Sequence, residues 1–476
     1  MKINQKQVRN SLIVAILIVV LCASSYYVGV SSSYVGDTGE LWVNPPFSEA
    51  SYVVGQYNST YYYAKNCTTG KFDYLSSNAS YVIQAAINAL PIANARKGQI
   101  YIKQANYDIG SDITIGKKTY LIAESGTMFN VTQNLTNGAI VIDPTNVEFT
   151  DYQIKNIQIE LNQYNGHGIY SANALRTDSR GKASIENIYI RNVKSGYGGI
   201  TLTNLFLMKL SNINIFPNYG TGIWLKLDDT LISGNSIFEN ILTSCGGANA
   251  IGVDIEKSAV KHYCLINFNR LQIGGDPSSA PSGSIGFRAN GLTSTRFMNL
   301  DIEGAEKCMV LDSCTSNIID ITGIQTNAAS GYGIQLINTC YNNIFRAGLV
   351  NVPNGLAYSD ETAYTSNPNQ IQSGRWHGTF ALGTNTALGQ CSLWDGSTYR
   401  QTVKNGVATI IAGNTYTTVT VNYPLSDYRV TISPSSDTGG KRFWVSDKTQ
   451  TSFRITIDSI YASNISFEWA IEYVYP

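Results

Sequence analysis

The segment 187–226, NIYIRNVKSGYGGITLTNLFLMKLSNINIFPNYGTGIWLK, contains two short motifs, and each motif occurs twice. The first is Asn-apolar-x-apolar, at Asn187 and Asn212, and the second is Gly-apolar-x-apolar, at Gly199 and Gly222. Alternating apolar positions over four residues are typical of a strand with one buried face. The segment therefore predicts two kinds of short strand that alternate along the chain.

Both motifs continue on either side of this segment. The first occurs at Asn156, Asn187, Asn212, Asn240, Arg270 and Asn299, at intervals of 25–31 residues. The second occurs at Gly168, Gly199, Gly222, Gly252, Gly286 and Gly333, with Cys308 in the same place. Because one repeat cannot bury its apolar face alone, stacked coils are expected, and the pattern predicts a parallel β-solenoid. The recurrent Asn is expected to form a ladder of stacked amides. A leucine-rich horseshoe is disfavoured, since its Leu spacing and helical half-repeats are missing.

The residues before these repeats predict a cap for the first coil. Residues 78–90 have helical apolar spacing and an Asn or Ser in the capping position. Strand patterns follow at 99–103 and 107–110. An open solenoid end would expose strand edges and core, so the helix is expected to cover it.

Residues 80–125, SYVIQAAINALPIANARKGQIYIKQANYDIGSDITIGKKTYLIAES, resemble the opening segment of pectate-lyase-superfamily proteins of the rhamnogalacturonase/epimerase-like kind. Those proteins begin with an AIQAAI-type helix, a Gly-hydrophobic-Tyr-Ile strand and a G/N-x-Tyr-x-Ile strand, and viral tailspikes share this opening. The resemblance covers about residues 75–355 and implies a right-handed, pectin-lyase-like parallel β-helix. The acidic residues usually found before the helix are replaced here by residues 76–80, SSNAS.

The end of the chain has a different pattern. Residues 356–402 lose the repeat, and their Gly-rich composition predicts a linker. Residues 403–476 contain short alternating segments that predict an antiparallel β-sandwich. This part resembles the small C-terminal sandwiches of tail fibres and surface proteins, several of which bind glycans; a structural plug or oligomerisation cap fits equally well. The predicted fold is therefore all-β, with a linker at 36–74, a β-helix at 75–355 and a sandwich after residue 402.

The N-terminal residues predict export. Lys2, Lys6 and Arg9 precede an uncharged run at 11–23, which is the pattern of an export signal, and residues 24–30 extend the run to the length of a membrane anchor. Residues 1–35 are therefore predicted to be a cleaved signal or a retained anchor, and the protein to be extracellular or at the cell surface. Candidate glycosylation sites are Asn58, Asn66, Asn78, Asn130, Asn134 and Asn464.

Charge composition excludes one class of partner. The chain has 33 Lys and Arg against 33 Asp and Glu, so its formal net charge is zero. A nucleic-acid binder of the basic-patch type needs a clustered excess of cations. The same balance disfavours a dedicated polyuronate enzyme, which benefits from a basic groove.

The register of the Gly motif lines up the outward side chains of successive coils. One outward column is Tyr170, Thr201, Trp224, Asp254, Arg288, Val310 and Gln335, and the next is Ala172, Thr203, Lys226, Glu256, Asn290, Asp312 and Ile337. Stacked strands lie about 4.8 Å apart and same-face neighbours along a strand about 6.8 Å apart. We therefore expect one patch that contains Trp224, Lys226, Asp254, Glu256, Arg288, Asn290 and Asp312. Tyr170, Trp224 and Asn290 are its candidate sugar-binding residues.

Two reactions fit this patch. In glycoside hydrolysis two carboxyl groups about 5–9.5 Å apart act together, and either Asp254 with Glu256 or Glu256 with Asp312 satisfies that requirement. In β-elimination, as in the lyases that this fold resembles, Arg288 or Lys226 would be the base. Asp254 and Glu256 are then candidate calcium ligands. Opposite charges on adjacent coils can equally pair without any catalytic role.

Two further motifs contain candidate residues. Asp228 and Asp229 are predicted to form a turn or a calcium site. The Gly-His-Gly at 166–168 resembles a motif of the polygalacturonase-like branch, where paired Asp residues precede it, whereas here they follow it. It is therefore predicted to be a turn that opens a strand.

Two hypotheses of function follow. The first is an exported or surface-anchored β-helix protein that binds a polysaccharide and cleaves it as a lyase or a hydrolase. The second is a non-catalytic adhesin or tailspike-like protein with a glycan-binding tip, and a homotrimer would fit this second hypothesis. A membrane contact is expected only through an uncleaved N-terminal segment.

Overall fold

The structure is a computed structural model that describes residues 50–90, 98–116, 119–142, 152–171, 183–203, 207–226, 236–256, 263–362, 367–382, 386–394, 399–401, 404–421, 428–449 and 452–473. The chain divides into two compact units, Met1–Ala50 and Ser51–Pro476, and the elements below belong to the second. The predicted signal or anchor at 1–35 lies outside the described residues. Within the described ranges, no helix has both the length and the apolar character needed to cross a membrane.

The elements comprise one helix and a long series of strands. The helix is α1 (Ala79–Asn88). The first strands are β1 (Tyr52–Gln56), β2 (Tyr62–Asn66), β3 (Phe72–Ser76), β4 (Gly98–Ile102), β5 (Asn106–Ile109), β6 (Ile113–Ile115), β7 (Thr119–Val131) and β8 (Gly138–Ile142). The middle strands are β9 (Gln153–Glu160), β10 (His167–Tyr170), β11 (Ser184–Arg191), β12 (Gly198–Thr203), β13 (Lys209–Ile215), β14 (Thr221–Lys226), β15 (Ile237–Ser244), β16 (Ile251–Glu256), β17 (Tyr263–Cys264), β18 (Asn267–Gly274), β19 (Ile285–Asn290), β20 (Leu292–Thr293), β21 (Arg296–Glu303), β22 (Lys307–Asp312), β23 (Ile318–Gln325) and β24 (Tyr332–Asn338). The last strands are β25 (Ile344–Thr362), β26 (Asn369–Ala381), β27 (Thr386–Trp394), β28 (Tyr399–Gln401), β29 (Lys404–Ile410), β30 (Tyr416–Thr420), β31 (Tyr428–Pro434), β32 (Phe443–Ser446), β33 (Ser452–Ile457) and β34 (Ile465–Tyr473).

The middle strands stack in parallel in two columns, so the predicted parallel β-solenoid is confirmed. The Asn column contains the Asn motifs and runs through β9, β11, β13, β15, β18, β21, β23 and β25. The Gly column contains the Gly motifs and runs through β8, β10, β12, β14, β16, β19, β22, β24 and the end of β25. The apolar motif residues form one continuous core: Ile188, Ile200 and Ile223, for example, are at most 1% exposed.

The Gly motif needs glycine because adjacent coils approach closely there. A Cβ atom on Gly199 would lie 2.8 Å from the carbonyl oxygen of Gly222, and one on Gly222 would clash with that of Gly252. Such distances are shorter than any van der Waals contact of a real Cβ atom, so a side chain at these positions would push the coils apart. The repeat of glycine thus follows from the stacking itself.

The predicted amide ladder is present in the Asn column. The Nδ2 atom of Asn187 donates to Oδ1 of Asn156 at 2.9 Å, that of Asn212 to Asn187 at 2.9 Å, and that of Asn240 to Asn212 at 2.7 Å. Each of these residues has a positive φ, which Asn tolerates better than most residues. The motif therefore bends each strand and joins it to its neighbours.

Helix α1 covers the first coil, as the sequence predicts. Its cap is Asn78, whose Oδ1 accepts the backbone N–H of Tyr81 at 3.0 Å. Val82, Ile83 and Ala86 face the core and are 0% exposed. The helix thus closes the apolar interior at the N-terminal end.

Ordered strands extend beyond the predicted β-helix on both sides. Residues 36–74 were predicted to be a linker, yet β1, β2 and β3 form an antiparallel meander there, and β1 pairs in parallel with β4. Residues 356–402 were also predicted to be a linker, yet β25, β26 and β27 continue the parallel stack. The pairing of β25 with β26 has several register shifts, which displace the motif spacing and explain why the sequence pattern ends before the coils do.

The C-terminal segment forms antiparallel sheets, as predicted. One sheet has the order β29-β34-β31 and the other β30-β33-β32. Ile410 and Phe467 of the first sheet belong to the same buried cluster as Val419 and Phe453 of the second. The two sheets therefore share a core that is separate from that of the solenoid.

Candidate functional site

The outward residues of the Gly column lie side by side, in the register that the sequence predicts. Trp224 is paired with Asp254, and Lys226 with Glu256. Asp254 is paired in turn with Arg288, and Asn290 with Asp312. Thr201 is paired with Tyr170 on one side and with Trp224 on the other. Ala172 lies outside the described residues. The structure therefore brings the predicted residues into one region, named here the Trp224 patch: Tyr170, Thr201, Trp224, Lys226, Asp254, Glu256, Arg288, Asn290 and Asp312.

The centre of the Trp224 patch is an ion pair in which the carboxylate is buried and the guanidinium is partly exposed. Arg288 donates from Nε to Oδ1 of Asp254 at 2.8 Å and from Nη2 to Oδ2 at 2.6 Å. The Asp254 side chain is only 1% exposed, whereas that of Arg288 is 39% exposed. The hydrogen bonds to Asp254 raise the pKa of Arg288, so the guanidinium keeps its proton and is a poor base in this arrangement.

Glu256 has a partly exposed carboxylate with only one weak ionic contact among the described residues. Its side chain is 44% exposed, and its Oε1 lies 3.8 Å from Nη2 of Arg288. Asp312, in contrast, accepts hydrogen bonds from Asn338 at 2.8 Å and from Asn290 at 3.2 Å. Of the predicted carboxylates, Glu256 is therefore best placed to meet a ligand.

Trp224 and Lys226 form a second contact within the patch. Nζ of Lys226 lies 3.6 Å from the centroid of the Trp224 ring, which is a cation–π distance. The Nε1 atom of Trp224 is buried and has no hydrogen-bond partner among the described residues. A buried donor without a partner costs about 1–3 kcal/mol, and because the atom is buried, a ligand oxygen reaches it only if a neighbouring side chain moves.

His167 belongs to the same region, although the sequence predicted only a turn there. It is the first residue of β10, and its ring stacks on that of Tyr170 with centroids 4.8 Å apart. Its Nδ1 accepts the backbone N–H of Gly198 at 2.8 Å and lies 2.8 Å from the hydroxyl of Thr201. Because a backbone N–H can only donate, the proton of the neutral ring lies on Nε2. Burial and the nearby charge of Lys226 lower the pKa of His167 to about 4.

A sequence signal for His167 existed in the Gly-His-Gly motif itself. The outward columns begin at the third residue of each Gly motif and therefore do not include the residue just before the glycine. The structure shows that this position faces Tyr170 and lies 6.3 Å from Trp224, measured between ring centroids.

The predicted calcium residues Asp228 and Asp229 lie outside the described residues. Of the His, Cys, Asp and Glu side chains that the structure does describe, no three lie close enough together to hold a metal ion. The calcium site therefore stays a prediction.

The predicted glycosylation sites differ in their exposure and in whether the side-chain Nδ2 atom donates a hydrogen bond to a nearby carboxylate. Asn58, Asn78, Asn134 and Asn464 are exposed. The Nδ2 atom of Asn66 donates to Asp73 at 2.9 Å, and that of Asn130 donates to Asp108 at 2.8 Å. Since Nδ2 is the atom that a glycan would occupy, the four exposed sites are the better candidates.

Comparison with known proteins yields similarity to solved structures only. No protein-family model matches the sequence, and no curated protein matches it. The A-module of the Azotobacter vinelandii mannuronan C-5 epimerase AlgE4 has a TM-score of 0.44 and 13% identity, over 66% of this chain and 91% of that one. The tailspike gp49 of Acinetobacter baumannii bacteriophage Fri1, a capsular polysaccharide depolymerase, has a TM-score of 0.28 and 10% identity, over 83% and 82% of the chains. The tailspike gp49 of Pseudomonas phage LKA1 has a TM-score of 0.31 and 10% identity, over 83% and 92% of the chains. Scores this low do not transfer a function, and membership of the pectate lyase superfamily stays a prediction.

Proposed function

We propose that this protein binds a polysaccharide at the Trp224 patch. The observation that carries the proposal is the grouping, in one outward patch, of the Trp224 ring with the ammonium of Lys226 and the 44% exposed carboxylate of Glu256. Sugar hydroxyls both donate and accept hydrogen bonds. They could therefore accept from Lys226 while donating to Glu256.

The charges of the patch favour a neutral or weakly charged polymer. The patch has two cations, Lys226 and Arg288, against the three carboxylates Asp254, Glu256 and Asp312, and Arg288 is already held by Asp254. A patch with one carboxylate in excess gives a polyanion no attraction. The rings of Tyr170 and Trp224 are partly exposed and add apolar surface for the C–H groups of sugars beside His167 and Lys226, which each contact one of the rings.

Cleavage of the polymer is the second candidate function. It is supported by the accessible carboxylate of Glu256, which could transfer a proton to or from a glycosidic bond. Hydrolysis needs a second carboxyl group, however, and Asp254 and Asp312 are both held by strong hydrogen bonds. The geometry thus supports binding more directly than catalysis. An exported or cell-surface location, a homotrimer and the adhesin alternative are proposals that come from the sequence alone.

A glycan panel tests the proposal. Purified full-length protein would be titrated calorimetrically with neutral and acidic polysaccharides, with and without calcium. We expect Trp224→Ala to weaken binding of the best ligand by about tenfold or more, and Trp224→Phe, which keeps a ring but loses the N–H, to weaken it less. Trp444→Ala removes a 44% exposed Trp of the C-terminal sheets and is the matched control.

The opposite result would contradict the proposal. If Trp444→Ala abolished binding and Trp224→Ala did not, the glycan would bind at the C-terminal sheets, as in the adhesin hypothesis. Products would be followed as reducing ends and as unsaturated sugars. Cleavage that is lost in Glu256→Gln while binding remains would establish an enzyme.

A further inference from the structure

Two cysteine side chains are buried at equivalent positions of adjacent coils. Cys314 comes shortly after β22 and Cys340 shortly after β24, and both are thiols that are 0% exposed. Thr315 and Tyr341, the next residues along the chain, pair in parallel, and the N–H of Tyr341 donates to the carbonyl oxygen of Cys314 at 3.3 Å. Paired strands lie about 4.8 Å apart. A disulfide spans Cα separations of about 4.4–6.8 Å, so the backbone places these two cysteines within its range.

The two cysteine side chains also contact each other. The backbone N–H of Cys314 donates to Sγ of Cys340 at 3.2 Å, so the Cys340 side chain reaches across to the preceding coil. Sγ of Cys314 lies 3.2 Å from the carbonyl oxygen of Asp312 and 3.5 Å from that of Ala289. Burial, and then the hydrogen bond with the Cys340 side chain, raise the pKa of Cys314 well above its ordinary value. The remaining movement is a rotation about the Cα–Cβ bond of Cys314, which turns its sulfur towards that of Cys340.

Buried amides hold the backbone of both cysteines in this alignment. The Nδ2 atom of Asn343 donates to the carbonyl oxygen of Cys314 at 2.8 Å, and that of Asn369 donates to the carbonyl oxygen of Cys340 at 3.1 Å. Asn343 also donates to Oδ1 of Asn369 at 2.9 Å, and both amides are 0% exposed. One chain of hydrogen bonds therefore fixes the two cysteines relative to each other. A bond between them needs little displacement of the backbone.

A second pair of buried cysteines lacks this alignment. Cys245 is 1% exposed and Cys308 is 0% exposed. Cys245 comes before β16, whereas Cys308 lies in β22, and β19 lies between these two strands in the Gly column. Two coil spacings amount to about 10 Å, whereas Cα atoms more than about 7 Å apart cannot be bridged without movement of the backbone. Burial is thus common to both pairs, and the alignment belongs to Cys314 and Cys340.

We propose that Cys314 and Cys340 form a disulfide that cross-links two coils of the solenoid, by exchange with a small disulfide such as oxidised glutathione. The thiolate of one cysteine attacks the S–S bond of the oxidant, which releases one small thiol and leaves a mixed disulfide. The thiolate of the other cysteine attacks the protein sulfur of that mixed disulfide, forms the bond between the coils and releases the second small thiol. One S–S bond breaks and one forms. The two cysteines lose two electrons to the oxidant, and their two protons end on the released thiols.

Burial decides when this exchange takes place. In the folded protein Cys314 is covered and its thiol is hard to deprotonate, whereas only a thiolate attacks a disulfide. The bond therefore forms while the chain folds, before the site is covered, and is protected afterwards. It closes a loop between residues 26 positions apart, which restricts the unfolded chain. The inference does not depend on the proposed function, because neither cysteine belongs to the Trp224 patch.

Cell-free synthesis of the full-length chain, with either oxidised or reduced glutathione present while it folds, tests the proposal. A digest made without reductant is searched by mass spectrometry for the linked peptides that contain Cys314 and Cys340. We expect this link only in the protein made with oxidised glutathione, and we expect that protein to denature about 5 °C higher than the reduced one. Oxidised glutathione added to the reduced, folded protein should form the link at least about tenfold more slowly.

Cys314→Ala and Cys245→Ala are the matched variants, since each removes one buried thiol. We expect Cys314→Ala to lose both the link and the difference in denaturation temperature between the oxidised and reduced forms, and Cys245→Ala to keep both. Because each variant is compared with its own reduced form, the effect of the substitution itself cancels. The proposal is overturned if the oxidised protein contains no link between Cys314 and Cys340, if these cysteines link mainly to others, or if Cys314→Ala keeps the temperature difference.

Discussion

At the scale of single residues, the pair Asp254–Arg288 is the most constrained contact of the Trp224 patch. Both carboxylate oxygens are bound, and the carboxylate is almost fully buried. Arg288→Ala would leave that buried charge without its partner, so we expect a loss of about 3–5 kcal/mol in unfolding free energy. Chemical denaturation followed by circular dichroism measures it.

Arg296→Ala is the control for this change. Arg296 is 54% exposed and approaches Asp320 only to 3.9 Å, so its removal should cost less than about 1 kcal/mol. Equal losses in the two variants would show that the pair contributes no more than a surface contact. The comparison also matters for assays, because lost activity in Arg288→Ala would first have to be separated from lost folding.

His167 gives the protein a pH dependence of known sign. Its pKa falls from the ordinary 6.5 to about 4 in the folded protein, mainly because of burial. The unfolded chain therefore binds the proton more readily than the folded one between these values, and stability decreases as the pH falls from about 6.5 to 4. The complete titration of His167 lowers the free energy of unfolding by about 3 kcal/mol.

His167→Gln should remove most of this pH dependence. Unfolding free energies measured from pH 7 to pH 4 would show it as a flatter profile. If His167→Gln and the unmodified protein lost stability in parallel, the titration of other groups would be responsible.

The sequence predicted which residues of the patch are neighbours but not which of them bind each other. Period-two alternation and the motif spacing fix the register, so Trp224, Asp254 and Arg288 could be aligned in advance. Whether Arg288 turns to Asp254 or to Glu256 depends on burial and on side-chain rotamers, which the pattern does not contain. For the same reason the sequence does not predict that the Lys226 ammonium lies over the Trp224 ring.

At the scale of the repeated element, the Gly motif and the Asn ladder make separate predictions. Gly199→Ala would place a methyl group against the carbonyl oxygen of Gly222, and we expect it to cost about 1–3 kcal/mol. Gly116→Ala is the control, because a Cβ atom there meets nothing within 4 Å. Thermal denaturation of both variants would measure the difference, and an equally stable Gly199→Ala would contradict the close-approach explanation.

Asn212 stands in the middle of the amide ladder and both donates and accepts. Asn212→Ala removes two hydrogen bonds and leaves a non-glycine residue at positive φ, so we expect a loss of about 1–2 kcal/mol. Asn214→Ala, two residues later on the same strand, removes an amide oxygen that has no partner in the described structure and should change stability far less. Urea denaturation of the two variants side by side is the measurement.

At the scale of the whole molecule, coils contact mainly their neighbours, so damage should stay local at first. Val82→Asp would place a charge under α1, where the side chain is 0% exposed. We expect hydrogen exchange to accelerate in β4–β8 before it does in the middle coils. Tyr81→Asp changes a 55% exposed residue of the same helix and should leave exchange unchanged. Uniform acceleration along the chain would indicate a single cooperative unit instead.

The extent of the solenoid was the part of the fold that the sequence predicted least well. Motif spacing identified the regular coils because every copy keeps the same register. β25 and β26 keep the stacking but shift register several times, and β1–β3 pair antiparallel without any motif. Neither feature has a period that a sequence pattern could detect.

The hydrogen bonds of the amide ladder also give the stack of coils a dipole along its length. Every bond in it runs the same way: each Nδ2 donates towards the preceding coil, and the last one, from Asn156, ends on the carbonyl oxygen of Ala123. The side-chain dipoles therefore add head to tail along the stack, as peptide dipoles do in a helix, and neighbouring bonds polarise one another. The oxygen end of this row is Asn240, and the next residue in the stack is the cation Arg270. A coil transplanted into this stack would have to match its polarity as well as its shape.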